Sequence, residues 1–175
     1  MKALNSIIGA LVVASATAFS APSAAAMVTR IAINHGATGC QGTTPTFQSM
    51  LRYRTEGFSN SSQKNPAMVV CGGVATPFNQ NGANGGDVWA YGTAINNLDN
   101  KPMTVNCSLV DSLYTFTWDV VTVYPKSVTI PVGGIGYIDW WASGTNFAVP
   151  SMTCQLPPNA EISYTVIMYA EDVGL

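Results

Sequence analysis

Along most of the chain apolar and polar residues alternate with a period of two, the pattern of strands that bury one face. Runs rich in β-branched and aromatic residues occupy 28–34, 47–53, 67–71, 88–95, 103–110, 113–124, 127–132, 137–141, 147–153 and 162–169. No segment sustains a helical period with caps. Turn formers cluster between the runs, at 79–87, 98–102, 133–136 and 157–159. This layout predicts an all-β, antiparallel β-sandwich of Greek-key or jelly-roll type, with about eight to ten strands. The stretch 115–120 is the cleanest example: Phe116, Trp118 and Val120 are expected to face the core, and Thr115, Thr117 and Asp119 the solvent.

The first residues break this pattern. Lys2 precedes an apolar run over 7–19, and a small-residue tail ends in Ala24-Ala25-Ala26. That is the layout of a secretory signal peptide over residues 1–26, with cleavage expected after Ala26 and Ala16-Thr17-Ala18 as a second site. The run is shorter than the roughly 20 residues a membrane-spanning helix needs, so no span is expected after cleavage. Residues 27–175 then read as one domain, secreted or periplasmic, without internal repeat or linker. The cysteines agree with export. Cys40, Cys71, Cys107 and Cys154 contain no Cys-x-x-Cys spacing, which argues against zinc ribbons and redox motifs and for two disulfides. Four cysteines allow three connectivities. The sequential one, Cys40–Cys71 with Cys107–Cys154, is favoured because it staples one half of the domain at a time.

Composition narrows the function classes. Charged residues make up 9% of the 175, against about 25% in a typical soluble domain, while hydrophobic residues stand at an ordinary 47%. Thr, Asn, Ser and Gly take the place of Lys and Glu, as outer faces of strands allow. Disorder and coiled coil are both excluded by this balance. Nucleic-acid binding is excluded as well, because seven basic residues against nine acidic ones leave a net charge of −2.

Several short motifs occur together: Cys40-Gln41; Gly57-Phe58-Ser59-Asn60 running into Met68-Val69-Val70-Cys71; Ala94-Ile95-Asn96-Asn97 running into Val105-Asn106-Cys107; and Cys154-Gln155-Leu156-Pro157-Pro158 before a last strand containing Tyr164. In this the chain resembles a group of small exported bacterial proteins of uncharacterised function, departing from them at Gly72-Gly73, where Pro usually follows the second Cys. The resemblance implies an exported, disulfide-bonded β-domain and brings no catalytic residues with it.

Candidate chemistry is sparse. His35 is the one histidine, so any Ser-His-Asp or Cys-His mechanism would have to run through it, and no Gly-x-Ser-x-Gly elbow accompanies it. Asp119 and Asp139 are a carboxylate pair to test for glycoside hydrolysis. The loop 79–87 has Gly85-Gly86-Asp87 but a single carboxylate, too few for calcium. No metal and no cofactor are expected. The aromatic residues are the better lead. Trp140 and Trp141 are adjacent in a strand and must point to opposite faces, which puts one of them outside the core as a platform for a sugar ring or a protein partner. The reading is therefore a non-catalytic, cell-surface or periplasmic binding module for a glycan or another surface protein. A structural, self-assembling pilus-like subunit is the alternative, and a carbohydrate-active enzyme comes third.

Overall fold

The computed structural model describes residues 27–72, 88–114, 119–143, 147 and 150–172. The proposed signal peptide, the loop 79–87 and positions 115–118 of the alternating stretch lie outside the described residues.

The described residues form two antiparallel sheets that face each other. Sheet A contains β1 (Met27–His35), β3 (Leu51–Tyr53), β4 (Phe58–Asn60), β6 (Val88–Asn97), β9 (Ile135–Trp141) and β11 (Ala160–Asp172). Its order is β3-β4-β11-β6-β9, with β1 laid against β11 beyond the end of β4. Sheet B runs β2-β5-β10-β7-β8, from β2 (Cys40–Gly42), β5 (Ala67–Cys71), β10 (Pro150–Leu156), β7 (Met103–Tyr114) and β8 (Asp119–Ile130). The architecture is the all-β sandwich predicted from alternation, with eleven strands among the described residues against the eight to ten expected. β9 shows the cause most plainly: Gly136, Ile138 and Trp140 are buried, and Ile135, Tyr137, Asp139 and Trp141 are exposed.

The strands and the runs read from alternation differ in places. Residues 47–53 do not form one strand; α2 (Pro45–Met50) precedes the three-residue β3. Thr44 caps this helix by accepting the Phe47 N–H at 3.3 Å, and Pro45 stands at its first turn, where a missing N–H costs nothing. The alternation over 113–124 likewise spans two strands, because β7 ends at Tyr114 and β8 begins at Asp119.

The core lies between the sheets. Phe58, Tyr91, Ile95, Ile138, Trp140, Ile162 and Ile167 enter from sheet A, and Val69, Val105, Leu109, Ile130, Met152 and Leu156 from sheet B. Both disulfides, Cys40–Cys71 and Cys107–Cys154, join residues directly opposite in neighbouring strands of sheet B. They do not divide the domain into halves, as the chain order suggested. One sheet is covalently stitched twice, and among the described residues sheet A has no disulfide.

Polar clamps close one end of the sandwich. The buried Asn60 amide donates to the carbonyls of Asn65 and Leu156, each at 2.9 Å, and so ties β4 to β10. Asn97 does the same for β6 and β8, donating to Lys101 O, Ile130 O and Pro131 O at 2.9, 3.1 and 3.0 Å. Two tight turns pack beside them, with Gly133 at φ 62° and Asn159 at φ 60°, the left-handed conformation that Gly and Asn tolerate. The backbone is close-packed here too: a Cβ at Gly36 would stand 2.0 Å from the Ile162 carbonyl oxygen, and one at Gly57 2.4 Å from it. Glu161 is buried in the same region, accepting from Asn96 Nδ2 at 3.1 Å and lying 4.0 Å from Arg54 Nε.

Tyr91 gives this core a pH signature. Its ring is 1% exposed and its hydroxyl donates to Cys71 O at 3.4 Å, so burial pushes the phenol up to about 12. An unfolded tyrosine titrates near 10, so between pH 10 and 12 the unfolded chain releases a proton that the folded chain keeps, and stability falls as pH rises. The fall attributable to Tyr91 is about 2–3 kcal/mol across that window. Tyr91→Phe should be less stable at pH 8, through loss of the hydrogen bond, yet should show a shallower decline from pH 10 to 12 in urea unfolding. Parallel pH profiles for the two proteins would refute the assignment.

Candidate functional site

The site begins with the fixed alternation of β9. Trp140 turns inward and is 3% exposed, while Trp141 turns outward and is 56% exposed. Tyr137, four residues earlier on the same face, is 62% exposed. β6 runs beside β9, and opposite this stretch it places small residues: Ala90, Gly92 and Ala94 pair with Trp141, Asp139 and Tyr137. On the far side of β6, the paired residues of β11 are Met168, Val166 and Tyr164. Small side chains between two rows of large ones make a trough of about 190 Å³ across the outer face of sheet A.

Trp141 is held from two sides. Its indole N–H donates to Asp139 Oδ2, and its ring packs against Trp89 with centroids 5.5 Å apart and planes tilted by 41°. Trp89 reaches it through an irregularity in the strand register, where Ala90 pairs with Met168 but Val88 pairs with Tyr169 and leaves Trp89 over as the extra residue. Alternation alone gives no hint of this partner, since the bulge changes which side Trp89 faces.

Trp141 also borders a second depression, of about 340 Å³, in the seam between the outermost strands of the two sheets. Tyr124, Lys126, Ser143 and Phe147 line it too. Side chains bridge the seam: Trp140 Nε1 donates to Tyr124 O at 2.8 Å, and the Lys126 ammonium donates to Asp139 O. A third, open depression of about 660 Å³ on the outer face of sheet B presents hydroxyls and amides, among them Asn106, Ser108, Thr153 and Gln155, and no aromatic ring.

The other sequence candidates fall elsewhere. His35 ends β1, exposed, where its Nδ1 accepts the Ala37 N–H at 3.2 Å and so caps the short turn α1 (Gly36–Gly39). Asp139 is in the trough, but the backbone of Asp119 lies seven residues along β8 from Lys126, which meets β9 at Asp139. At about 3.3 Å per residue this is roughly 20 Å, well beyond the spacing at which two carboxylates flank one glycosidic bond. Among the described residues no three His, Cys, Asp or Glu side chains gather to hold a metal ion, and no helix is long and apolar enough to cross a membrane.

No family model and no curated protein matches the chain. Among solved structures it aligns with an exo-β-1,3-galactanase of Phanerochaete chrysosporium, at 13% identity over 80% of this chain and 29% of that one, TM-score 0.42. It also aligns with the family 11 carbohydrate-binding module of Clostridium thermocellum, solved in complex with a β-1,3-1,4-mixed-linked tetrasaccharide, at 11% identity over 87% of this chain and 89% of that one, TM-score 0.34. This chain spans less than a third of the galactanase. The buried disulfides fit an oxidising compartment.

Proposed function

We propose that the protein is an exported, non-catalytic binding module that takes an uncharged glycan chain along the outer face of sheet A. One observation carries the reading: two exposed rings, Trp141 and Tyr137, stand on the same face of β9 beside a preformed trough with a floor of Ala90, Gly92 and Ala94. Four strand residues set the rings roughly 13 Å apart, room for a short run of sugar rings. Sugar rings stack their C–H faces on aromatic planes, and a trough lined mainly by apolar side chains favours that contact over charge pairing. Asp139 is the one charged residue lining the trough among the described residues and supplies an acceptor for a sugar hydroxyl. A neutral ligand also suits a chain with so little charge to steer an ionic one.

Trp141→Ala and Tyr137→Ala should each weaken polysaccharide binding about thirtyfold, the loss of a roughly 2 kcal/mol contact, while unfolding free energy changes by less than about 1 kcal/mol. Affinity electrophoresis through soluble polysaccharides, paired with urea unfolding, separates the two quantities. A blank glycan array with folded wild-type protein would overturn the reading.

A further inference from the structure

β1 is attached to the domain in an unusual way. It pairs with β11 over nine consecutive register positions, from Met27 opposite Asp172 to His35 opposite Tyr164, and with no other described strand. None of its described side chains, Val28 to His35, is buried, and Ile31 and Ile33 are 59% and 67% exposed. It contributes no described side chain to the hydrophobic core. A strand with no buried face has its register and its partner weakly specified, which is the condition for exchange between chains.

The two ends of β1 differ. Just past His35 the chain is fixed, with Gly36 seated on the Ile162 carbonyl and Cys40 bonded to Cys71. Cleavage after Ala26 would leave Met27 as the free end. The arm therefore pivots at Gly36, where the strand meets the anchored turn Gly36-Ala37-Thr38-Gly39. β11 does not depend on β1 for its place, because its other edge pairs with β6 along most of its length and Ile162, Thr165 and Ile167 are buried. If β1 swings out, the molecule presents both an extended arm and the row of unpaired N–H and C=O groups that the arm had covered.

We propose that β1 is an exchangeable arm and that its partner is a second copy of this chain, whose β11 edge it fills in the same antiparallel register. Another copy is the occupant because its β11 offers the same contacts the arm already makes, Ile33 beside Val166 and Ile31 beside Met168, so exchange between identical chains loses no pairing. This goes beyond glycan binding and uses a different edge of the sheet.

Two variants of the full, exported chain, each with one cysteine added to the four already paired, test it. Ile33→Cys and Val166→Cys occupy facing positions of the β1–β11 ladder, so after mixing at high concentration with a mild oxidant they can be bridged in register only where the arm of one chain lies on β11 of the other. The expected result is a covalent heterodimer about tenfold more abundant than that from Ile33→Cys mixed with Ser127→Cys on sheet B, since ladder neighbours are held within disulfide reach. Ile31→Cys with Met168→Cys repeats the test if the first pair folds poorly. Equal yields in register and control mixtures, or no heterodimer at all, would overturn the proposal. Loss of glycan binding in the Trp141 variant leaves this readout untouched, so the two proposals fail separately.

Discussion

Trp140→Ala is expected to lower the unfolding free energy by about 4–5 kcal/mol, several times the effect of the same change at Trp141 beside it. The indole of Trp140 fills the space between the sheets at 3% exposure and meets Tyr91 edge to face, with centroids 6.3 Å apart. Removing it leaves a cavity that the surrounding strands cannot fully close. Its N–H also carries the bond to Tyr124 O, one of the links between the open edges of the two sheets. β8 is an outermost strand with Val121 and Val123 exposed, and Pro125 and Lys126 interrupt its edge in the way natural sheets discourage pairing with other chains. Trp140 adds a direct link from β9. Trp140→Phe separates the two contributions: it keeps most of the ring volume and loses the donor, for an expected cost of about 1–3 kcal/mol. Urea unfolding monitored by circular dichroism measures both variants. An alanine variant within about 1 kcal/mol of wild type would mean that the ring does not hold the seam.

How much of this could be read beforehand depends on the kind of signal each element carries. The strands whose two faces see different surroundings were legible, β9 above all, because burial on one side imposes a period of two. The helix at 45–50 was missed although Thr44-Pro45 is a helix-start signal, since six residues are too few to show a helical period and the apolar residues around Met50 and Leu51 mimic a strand. β7 and β8 were merged in part because the alternation continues from one into the other. That Trp140 and Trp141 face opposite ways follows from strand geometry alone. Which of them faces outward does not, nor does the arrival of Trp89 beside Trp141, because a bulge and a sheet order are long-range facts. The short motifs gain a structural meaning. Asn60 and Asn97, each at the end of one motif, are the amides that clamp sheet to sheet, and Gly57 opens the first of those motifs at a place where no Cβ fits.

The molecule is accordingly built with two unlike ends. At one, the Asn60 and Asn97 clamps and the turns at Gly133 and Asn159 fix the strands with buried hydrogen bonds. Trp89 and Trp141 sit towards the other, where β6 begins and β9 ends. The proposed binding surface at the second end can vary without disturbing the first, the usual division between a scaffold and the residues it displays.

Covalent reinforcement is uneven as well, and its removal should show this. Replacing both Cys107 and Cys154 by Ala is expected to cost about 4 kcal/mol, the loop-closure entropy of a 47-residue separation, and to lower Tm by roughly 10 °C. On entropy alone the Cys40–Cys71 bridge, with a sequence separation of 31, is worth only about 0.4 kcal/mol less. Position separates them further. All four cysteines are buried, but Cys107 and Cys154 join β7 and β10, two interior strands of sheet B, whereas Cys40 lies on the outermost β2. The Cys107/Cys154 variant should therefore be the less stable of the two, and its urea m-value should rise because the unfolded chain expands when the constraint is gone. Sheet A, with no bridge among its described strands, gives the opposite expectation for order of opening: amide protons of β1 should exchange well before those of β7 and β10, whichever bridge is present. Hydrogen exchange on the wild type and both variants checks the order. Protection in β1 equal to that in β10 would show that the ladder to β11 is as firmly held as the stitched sheet.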